Sequence, residues 1–267
     1  MDIKTNIKGK CLVIMVLLLV VSGRAYAAPR IISLAPNTTE ILFKLGLGGS
    51  IIGLDDFSDY PEEVNNIERL GTFNNPNMER IILLRPDYIL VNSGFETSRE
   101  EYLKSLGVRI IKISPKTMEG LYGDILMLGS VFGKEKDAES IIKEMKSRIS
   151  GIPYPGNSAA PKVFVQLFDD PLVTVSSFIS DIIRLAGGEN IAMDIEDDAG
   201  IFSCEALIAR NPDVILAAGF SGNTCNFKSI NAVKNKRVYS GLNPDLLLRP
   251  GPRSAEAVEM LNRVFYE

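Results

Sequence analysis

Glu79-Arg80-Ile81-Ile82-Leu83-Leu84-Arg85-Pro86-Asp87-Tyr88-Ile89-Leu90 recurs without a gap as Glu205-Ala206-Leu207-Ile208-Ala209-Arg210-Asn211-Pro212-Asp213-Val214-Ile215-Leu216. The Glu, the Ile three residues on, the Pro-Asp pair and the closing Ile-Leu pair coincide. In each copy a short amphipathic stretch meets a proline, whose ring cannot continue a helix, and an apolar run of strand length follows. The unit is helix, Pro-Asp stop, buried strand. Convergence can produce such a match, because the unit is common where helices alternate with parallel strands. The Glu at an equal offset favours two related lobes.

Outward from the first copy the same rhythm holds. Residues 30–34 and 50–54 have the apolar content of strands, and 39–45 has helical spacing, with Asn37 or Thr38 as cap and Gly46, Gly48 and Gly49 at its end. Asn77 caps a helix over 78–84, a strand follows over 87–91, a helix over 98–106 and a strand over 109–113. Alternating strands and helices predict an α/β fold with a mostly parallel sheet. No strand pattern occurs from 117 to 149. Two helices are expected there, interrupted at Gly133, the second strongly charged. Residues 151–161 are rich in Pro, Gly and Ser, and then the rhythm returns, with strands over 163–168, 213–218 and 237–239 and helices over 180–185, 203–210 and 254–266. The expected division is a leader over 1–27, an N-terminal α/β lobe over 28–116, a helical connector over 117–151 and a C-terminal α/β lobe over 161–267. Two like lobes flanking a connector leave the cleft between them for a ligand.

The first residues set the compartment. Lys4, Lys8 and Lys10 precede an unbroken apolar run over 11–21, and Ala25-Tyr26-Ala27 supplies small residues where a signal peptidase reads. That order predicts a secretory signal peptide cleaved after Ala27. The run is about half the ~20 residues of a membrane span, and Cys11 opens it rather than following it, which speaks against a lipid-modified cysteine. Removing 1–27 takes away four basic residues and one acidic, so the remainder is more acidic than the formal −4 of the whole chain. No basic cluster suggests nucleic acid. Cys204 and Cys225 remain, and an exported chain with two cysteines can hold one disulfide; two buried thiols is the other reading. The expected layout favours the bond, with Cys204 at a helix start and Cys225 beyond a strand ending near Ala218, on one side of the sheet. The chain has no His and no Trp, and so lacks the commonest general base and transition-metal ligand. No zinc pattern, phosphate loop or dinucleotide fingerprint is present. No catalytic residue, resident cofactor or metal site is expected.

Phe57-Ser58-Asp59-Tyr60-Pro61, Leu70-Gly71-Thr72-Phe73, Asn77-Met78-Glu79-Arg80-Ile81, Arg85-Pro86-Asp87 and Leu248-Arg249-Pro250-Gly251-Pro252-Arg253 together resemble periplasmic cobalamin (vitamin B12)-binding proteins of ABC importers, within a wider group that carries siderophores and haem. The likeness covers essentially the whole chain after the leader. It implies two lobes joined by a single long rigid helix, for which residues 135–149 are the candidate, and a ligand held between lobes at the carboxyl ends of strands, as the switch-point rule also expects. It implies a monomer in the periplasm that docks onto an importer permease dimer.

Residue by residue, the resemblance places Phe57 and Phe73 against a corrin ring, with Phe168 joining from the second lobe, and Asp245 and Arg249 on the corrinoid's polar rim. Phe57 and Phe73 lie in polar surroundings that core packing explains poorly, although a loop ring folded onto its own lobe is the plainer reading. For Asp245 and Arg249 the plainer reading is a surface ion pair. Glu79 and Glu205 correspond to importer-docking residues, one per lobe; each is also simply a Glu in the first turn of a helix, where the dipole favours it. The related proteins use Trp in the cleft, whereas here Asn92 and Ala199 or Gly200 stand where further large aromatics are sought. Asp194, Glu196, Asp197 and Asp198 form an acidic loop, read as solvated rather than as a Ca²⁺ site, since it lacks the EF-hand pattern. A ferric siderophore or haem on the same scaffold is the alternative ligand, and an exported hydrolase using carboxylates alone is the alternative from another class.

Overall fold

The computed structural model describes residues 28–153, 159–169, 171–195, 199–218 and 228–266. The first sheet contains β1 (Ile31–Ser33), β2 (Ile51–Leu54), β5 (Tyr88–Val91) and β6 (Arg109–Lys112) in the order β2-β1-β5-β6, all parallel. Between them lie helix α1 (Pro36–Lys44), the two-stranded ribbon β3 (Gly71–Thr72) and β4 (Asn75–Pro76), and helices α2 (Met78–Leu84) and α3 (Thr97–Ser105). The second sheet holds β7 (Lys162–Asp169), β8 (Leu172–Val175), β9 (Glu189–Asn190), β10 (Ala199–Ile201), β11 (Val214–Ala217) and β12 (Val238–Ser240), ordered β10-β8-β7-β11-β12 with β9 on β7. It is mixed: β11 runs parallel to β7 and β12, while β8 is antiparallel to β7 and β10. Helices α6 (Phe178–Leu185), α7 (Cys204–Arg210), α8 (Asn231–Lys234), α9 (Pro244–Leu248) and α10 (Ser254–Tyr266) accompany this sheet.

The repeated segment folds the same way twice. Asn77 Oδ1 accepts the Arg80 N–H at 3.0 Å, and Ser203 Oγ accepts the Ala206 N–H at 3.0 Å, so α2 and α7 open on the same kind of cap. Both close on a residue in the left-handed region, Arg85 (φ 44) and Asn211 (φ 45). Proline at the next position bars further helix. Asp87 Oδ2 then accepts the Arg30 N–H at 2.8 Å, and Asp213 Oδ2 accepts the Lys162 N–H at 3.0 Å. The Pro-Asp pair therefore stops each helix and docks the next strand onto the opening strand of its sheet.

Strand alternation sorts the core. Ile31 and Leu90 face one apolar cluster and Ile32, Ile89 and Val91 the other; in the second sheet Val163, Val165, Val214 and Leu216 face the first cluster and Phe164 and Ile215 a third. The shared cluster is continuous from sheet to sheet through α4 (Met118–Phe132) and α5 (Glu135–Ser150), which bury Leu121, Ile125, Leu128, Ala138, Ile141 and Met145. Each fully buried Leu or Ile contributes roughly 1.5–3 kcal/mol. Gly133 ends α4 at φ 66, and a Cβ at Gly129 would stand 2.7 Å from that of Ala138, so glycine lets the two helices cross closely. Arg148 of α5 binds Glu259 of α10 through Nε (2.8 Å) and Nη2 (2.6 Å).

Two helix starts differ from the sequence reading. α1 begins at Pro36 with Ala35 as the non-helical residue, and neither Asn37 nor Thr38 caps it, because proline at the first position gives up an N–H that would have no partner anyway. α6 begins at Phe178, ahead of the expected 180.

Candidate functional site

A cleft of about 380 Å³ is lined from both sides of the connector. Residues 35–37 follow β1, Asn92 follows β5 and 113–116 follow β6, so the first sheet contributes the carboxyl ends of three parallel strands. The other wall consists of residues 175–179, at the end of β8 and the start of α6, and of 247–250, at the end of α9 and just past it.

Arg249 is the polar centre of this wall and is only 15 % exposed. It binds Asp245 of α9 at 2.9 Å and reaches the first lobe at Asp59 Oδ1 (2.5 Å) and the Phe57 carbonyl (3.4 Å). The guanidinium holds the Asp59 carboxyl below the usual carboxylate range. Four residues on, Arg253 grips Glu40 of α1 through Nε (2.8 Å) and Nη2 (2.5 Å) and covers the Tyr60 ring at 4.1 Å. Glu40 is buried, and its pairing raises the Arg253 pKa above the ordinary value.

The Phe57 loop rests on a buried polar chain. Ser33 Oγ contacts Thr38 Oγ1 at 2.5 Å and accepts from Thr39 Oγ1 at 2.9 Å; Thr39 meets Ser58 Oγ at 2.8 Å, and Ser58 donates to Asp55. Asp55 also accepts the Phe57 N–H at 3.2 Å, and burial pushes its carboxyl pKa up against these bonds. Arg69 clamps the same turn through the carbonyls of Asp55 (2.9 Å) and Ser58 (2.5 Å).

The expected site residues fall in several places. Arg249 lines the cleft, and Asp245 and Phe57 adjoin it through the bonds above. Phe57 is 57 % exposed and Phe168, near the end of β7, is 51 % exposed; neither is among the cleft-lining residues described. Phe73 is partly buried, with its ring against Gly94, two residues past the cleft residue Asn92. Glu79 and Glu205 are both exposed, each the second residue of its helix. Cys204 opens α7, and Cys225 lies outside the described residues. Of the acidic loop, Glu196, Asp197 and Asp198 also lie outside them, while Asp194 is paired with Arg210 at 2.6 and 2.7 Å, which lowers its pKa. Asn92 lines the cleft, whereas Ala199 and Gly200 form part of the edge strand β10. Among the described residues no group of His, Cys, Asp or Glu could hold a metal ion.

Sequence reasoning passed over Glu40 and Ser177, took Asn37 only as a candidate helix cap, and met Arg253 only within the C-terminal segment that carries the resemblance. The trace of Glu40 was a charge within the apolar stretch of α1. Ser177 lines the cleft with φ 62 and ψ −129, a conformation that costs a non-glycine residue about 1–3 kcal/mol and recurs at ligand sites.

A family model described as "Periplasmic binding protein" matches residues 31–243. The chain belongs to that family. It is 30% identical over 253 residues to an uncharacterised ABC transporter substrate-binding lipoprotein of Bacillus subtilis, covering 89% of this chain and 80% of the relative. It is 30% identical over 248 residues to a vitamin B12-binding protein of Vibrio cholerae, with 90% of each chain covered. A crystal structure of the periplasmic vitamin B12-binding protein of Vibrio cholerae superposes with a TM-score of 0.74 at 28% identity, over 89% of this chain and 96% of that one. The two-lobed architecture and the substrate-binding family are thereby established, with transport through an ABC system as the family's task. No helix among the described residues is long and apolar enough to cross a membrane.

Proposed function

We propose that this protein captures cobalamin or a related corrinoid in the cleft between its lobes and delivers it to the permease dimer of an ABC importer in the inner membrane. The observation that carries this reading is the Asp245–Arg249–Asp59 triad at the mouth of a cleft lined from both lobes, in a chain 30% identical to a vitamin B12-binding protein over 90% of its length. A corrinoid presents an apolar macrocycle ringed by amides, and so needs aromatic faces together with both donors and acceptors. Phe57, Phe73 and Phe168 supply the faces in this reading, and Asp245 and Arg249 the polar contacts. The site binds without turnover.

The lobes are taken as 28–116 and 161–267, with 117–151 as connector. Residues 1–27 direct export to the periplasm and are removed after Ala27. Cys204 and Cys225 form a disulfide; closing a loop of this length contributes about 3 kcal/mol in the chain-entropy account. Maleimide labelling of both thiols in unreduced, unfolded protein would contradict it. The monomer docks through Glu79 and Glu205, whose exposure and equivalent positions suit a two-fold partner.

Incubation of the mature protein with cyanocobalamin, haem and ferric siderophores, followed by desalting, tests the ligand. Retention of the cyanocobalamin spectrum is expected. Retention of haem or a siderophore alone would transfer the reading to that ligand on the same scaffold. Hydrolysis of a glycoside or ester, lost on changing an acidic cleft residue, would overturn binding as the function.

A further inference from the structure

Two helices open onto the cleft. α1 brings Pro36 and Asn37 to its lining, and α6 brings Phe178 and Ile179, with Ser177 before it. Neither helix start is closed by a side-chain hydrogen bond. Pro36 has no N–H and the Ser180 N–H is bonded to the Ser177 carbonyl at 2.9 Å, which leaves the first-turn N–H groups of Asn37, Thr38, Phe178 and Ile179, and the dipole adds about half a positive charge at each helix N-terminus. A second observation points the same way. Asn37 as a residue is 8 % exposed, lines the cleft and has a side chain that makes no hydrogen bond within the protein. Asn92 Oδ1 is occupied by the Gly94 N–H at 3.0 Å, which leaves its NH₂ end to donate. The described lining includes Lys116 and Arg249 and contains no Asp or Glu. Arg249 is already shared with Asp59, Asp245 and, at 3.8 Å, Glu40 outside that lining, and the donors the lining itself offers are the amides of Asn37 and Asn92.

We propose that the floor of the cleft, between the starts of α1 and α6, is an oxyanion subsite that takes a carboxylate or phosphate carried by the cargo. The subsite rests on the reading of the cleft as the cargo site. Asn37 donates its amide to the anion, and the first-turn N–H groups of the two helices face the same group. The unusual Ser177 backbone sets the start of α6 against the cleft. A cargo group lacking acceptors would leave Asn37 buried and unpaired.

The test compares Asn37→Ala and Asn37→Asp in the mature protein. Calorimetry is run with cyanocobalamin, with its monocarboxylic acids (one propionamide hydrolysed) and with dicyanocobinamide, which lacks the nucleotide phosphate. An acidic residue in the first turn suits the helix dipole, so Asn37→Asp should hold or raise the melting temperature of the ligand-free protein. It should nevertheless weaken the ligands carrying the recognised anion a hundredfold or more, and Asn37→Ala about tenfold. Wild type should prefer either the acids over cyanocobalamin or cyanocobalamin over cobinamide, and Asn37→Asp should abolish that preference. Equal losses across all three ligands, unchanged binding in Asn37→Asp, or a melting temperature that falls with affinity would overturn the subsite. If no corrinoid binds, the corrinoid reading fails by itself, and haem against its dimethyl ester decides the subsite. Preference for the free propionates, lost in Asn37→Asp, supports it; equal binding, or none, overturns it.

Discussion

Asp59 is the residue whose charge state joins the two lobes at the cleft mouth. Its carboxyl is held low first by the hydrogen bond from Arg249 and then by that cation's charge. A carboxyl depressed in the folded state contributes stability that is present above its unfolded value, near 3.9, and is lost as pH falls through the lower folded value. Asp59 is well exposed, so the contribution is at most about 1 kcal/mol. Urea melts of wild type and Asp59→Asn should differ by that amount at pH 6 and converge as the pH drops below the ordinary carboxylate range; a gap that widens on acidification would contradict the pairing. The rings act at the same scale. Phe57→Ala with Phe73→Ala should weaken cyanocobalamin binding by roughly 1–4 kcal/mol by calorimetry, the scale of losing aromatic contact. Wild-type affinity would mean that these rings do not touch the ligand.

At the scale of elements, α2 and α7 use one design with different endings. Arg85 and Asn211 both occupy the left-handed region, which costs an L-residue about 1–2 kcal/mol. Arg85→Gly should relieve this and stabilise the protein by about 0.5–1 kcal/mol in urea melts. Asn211→Gly should not, because the Asn211 side chain accepts the Asn231 N–H at 2.8 Å and that bond would be lost. The elements were largely legible in the sequence for the reason this pair illustrates: caps, proline stops and apolar periodicity are local. Asn77 caps as the pattern predicts, Ser203 caps the helix expected to begin on it, and Gly133 breaks the connector where it should. The antiparallel strand β8 was not legible, because Leu172–Val175 is four residues that reverse tightly on β7 and carry no helical or turn pattern of their own length. Nor was Glu40, whose burial depends on Arg253, 213 residues away. Pairing across that separation leaves no periodic trace. Arg249 was visible only through resemblance, and its contact with Asp59 only in three dimensions.

Over the whole molecule, the lobes are joined by the connector core and by ion pairs between them, Arg249–Asp59 and Arg253–Glu40. Glu40 is buried, and without Arg253 it would be a carboxylate stripped of its bidentate partner. Arg253→Ala should therefore cost about 3–5 kcal/mol, whereas changing both partners to apolar residues of similar volume should cost much less. Chemical denaturation of the single and double variants separates the two. The two glutamates proposed for docking should behave oppositely. Exposed Glu79 and Glu205 contribute little to the fold, so changing both to Ala should leave the melting temperature and ligand affinity nearly unchanged while impairing importer binding. Normal uptake in the double variant would leave the repeated Glu as a helix-start preference alone. The claim that organises all of these is corrinoid capture between the lobes, and calorimetric titration of the mature protein with cyanocobalamin tests it most directly. One ligand per chain with submicromolar affinity is the predicted result. No heat, with no cyanocobalamin retained after desalting, would contradict it.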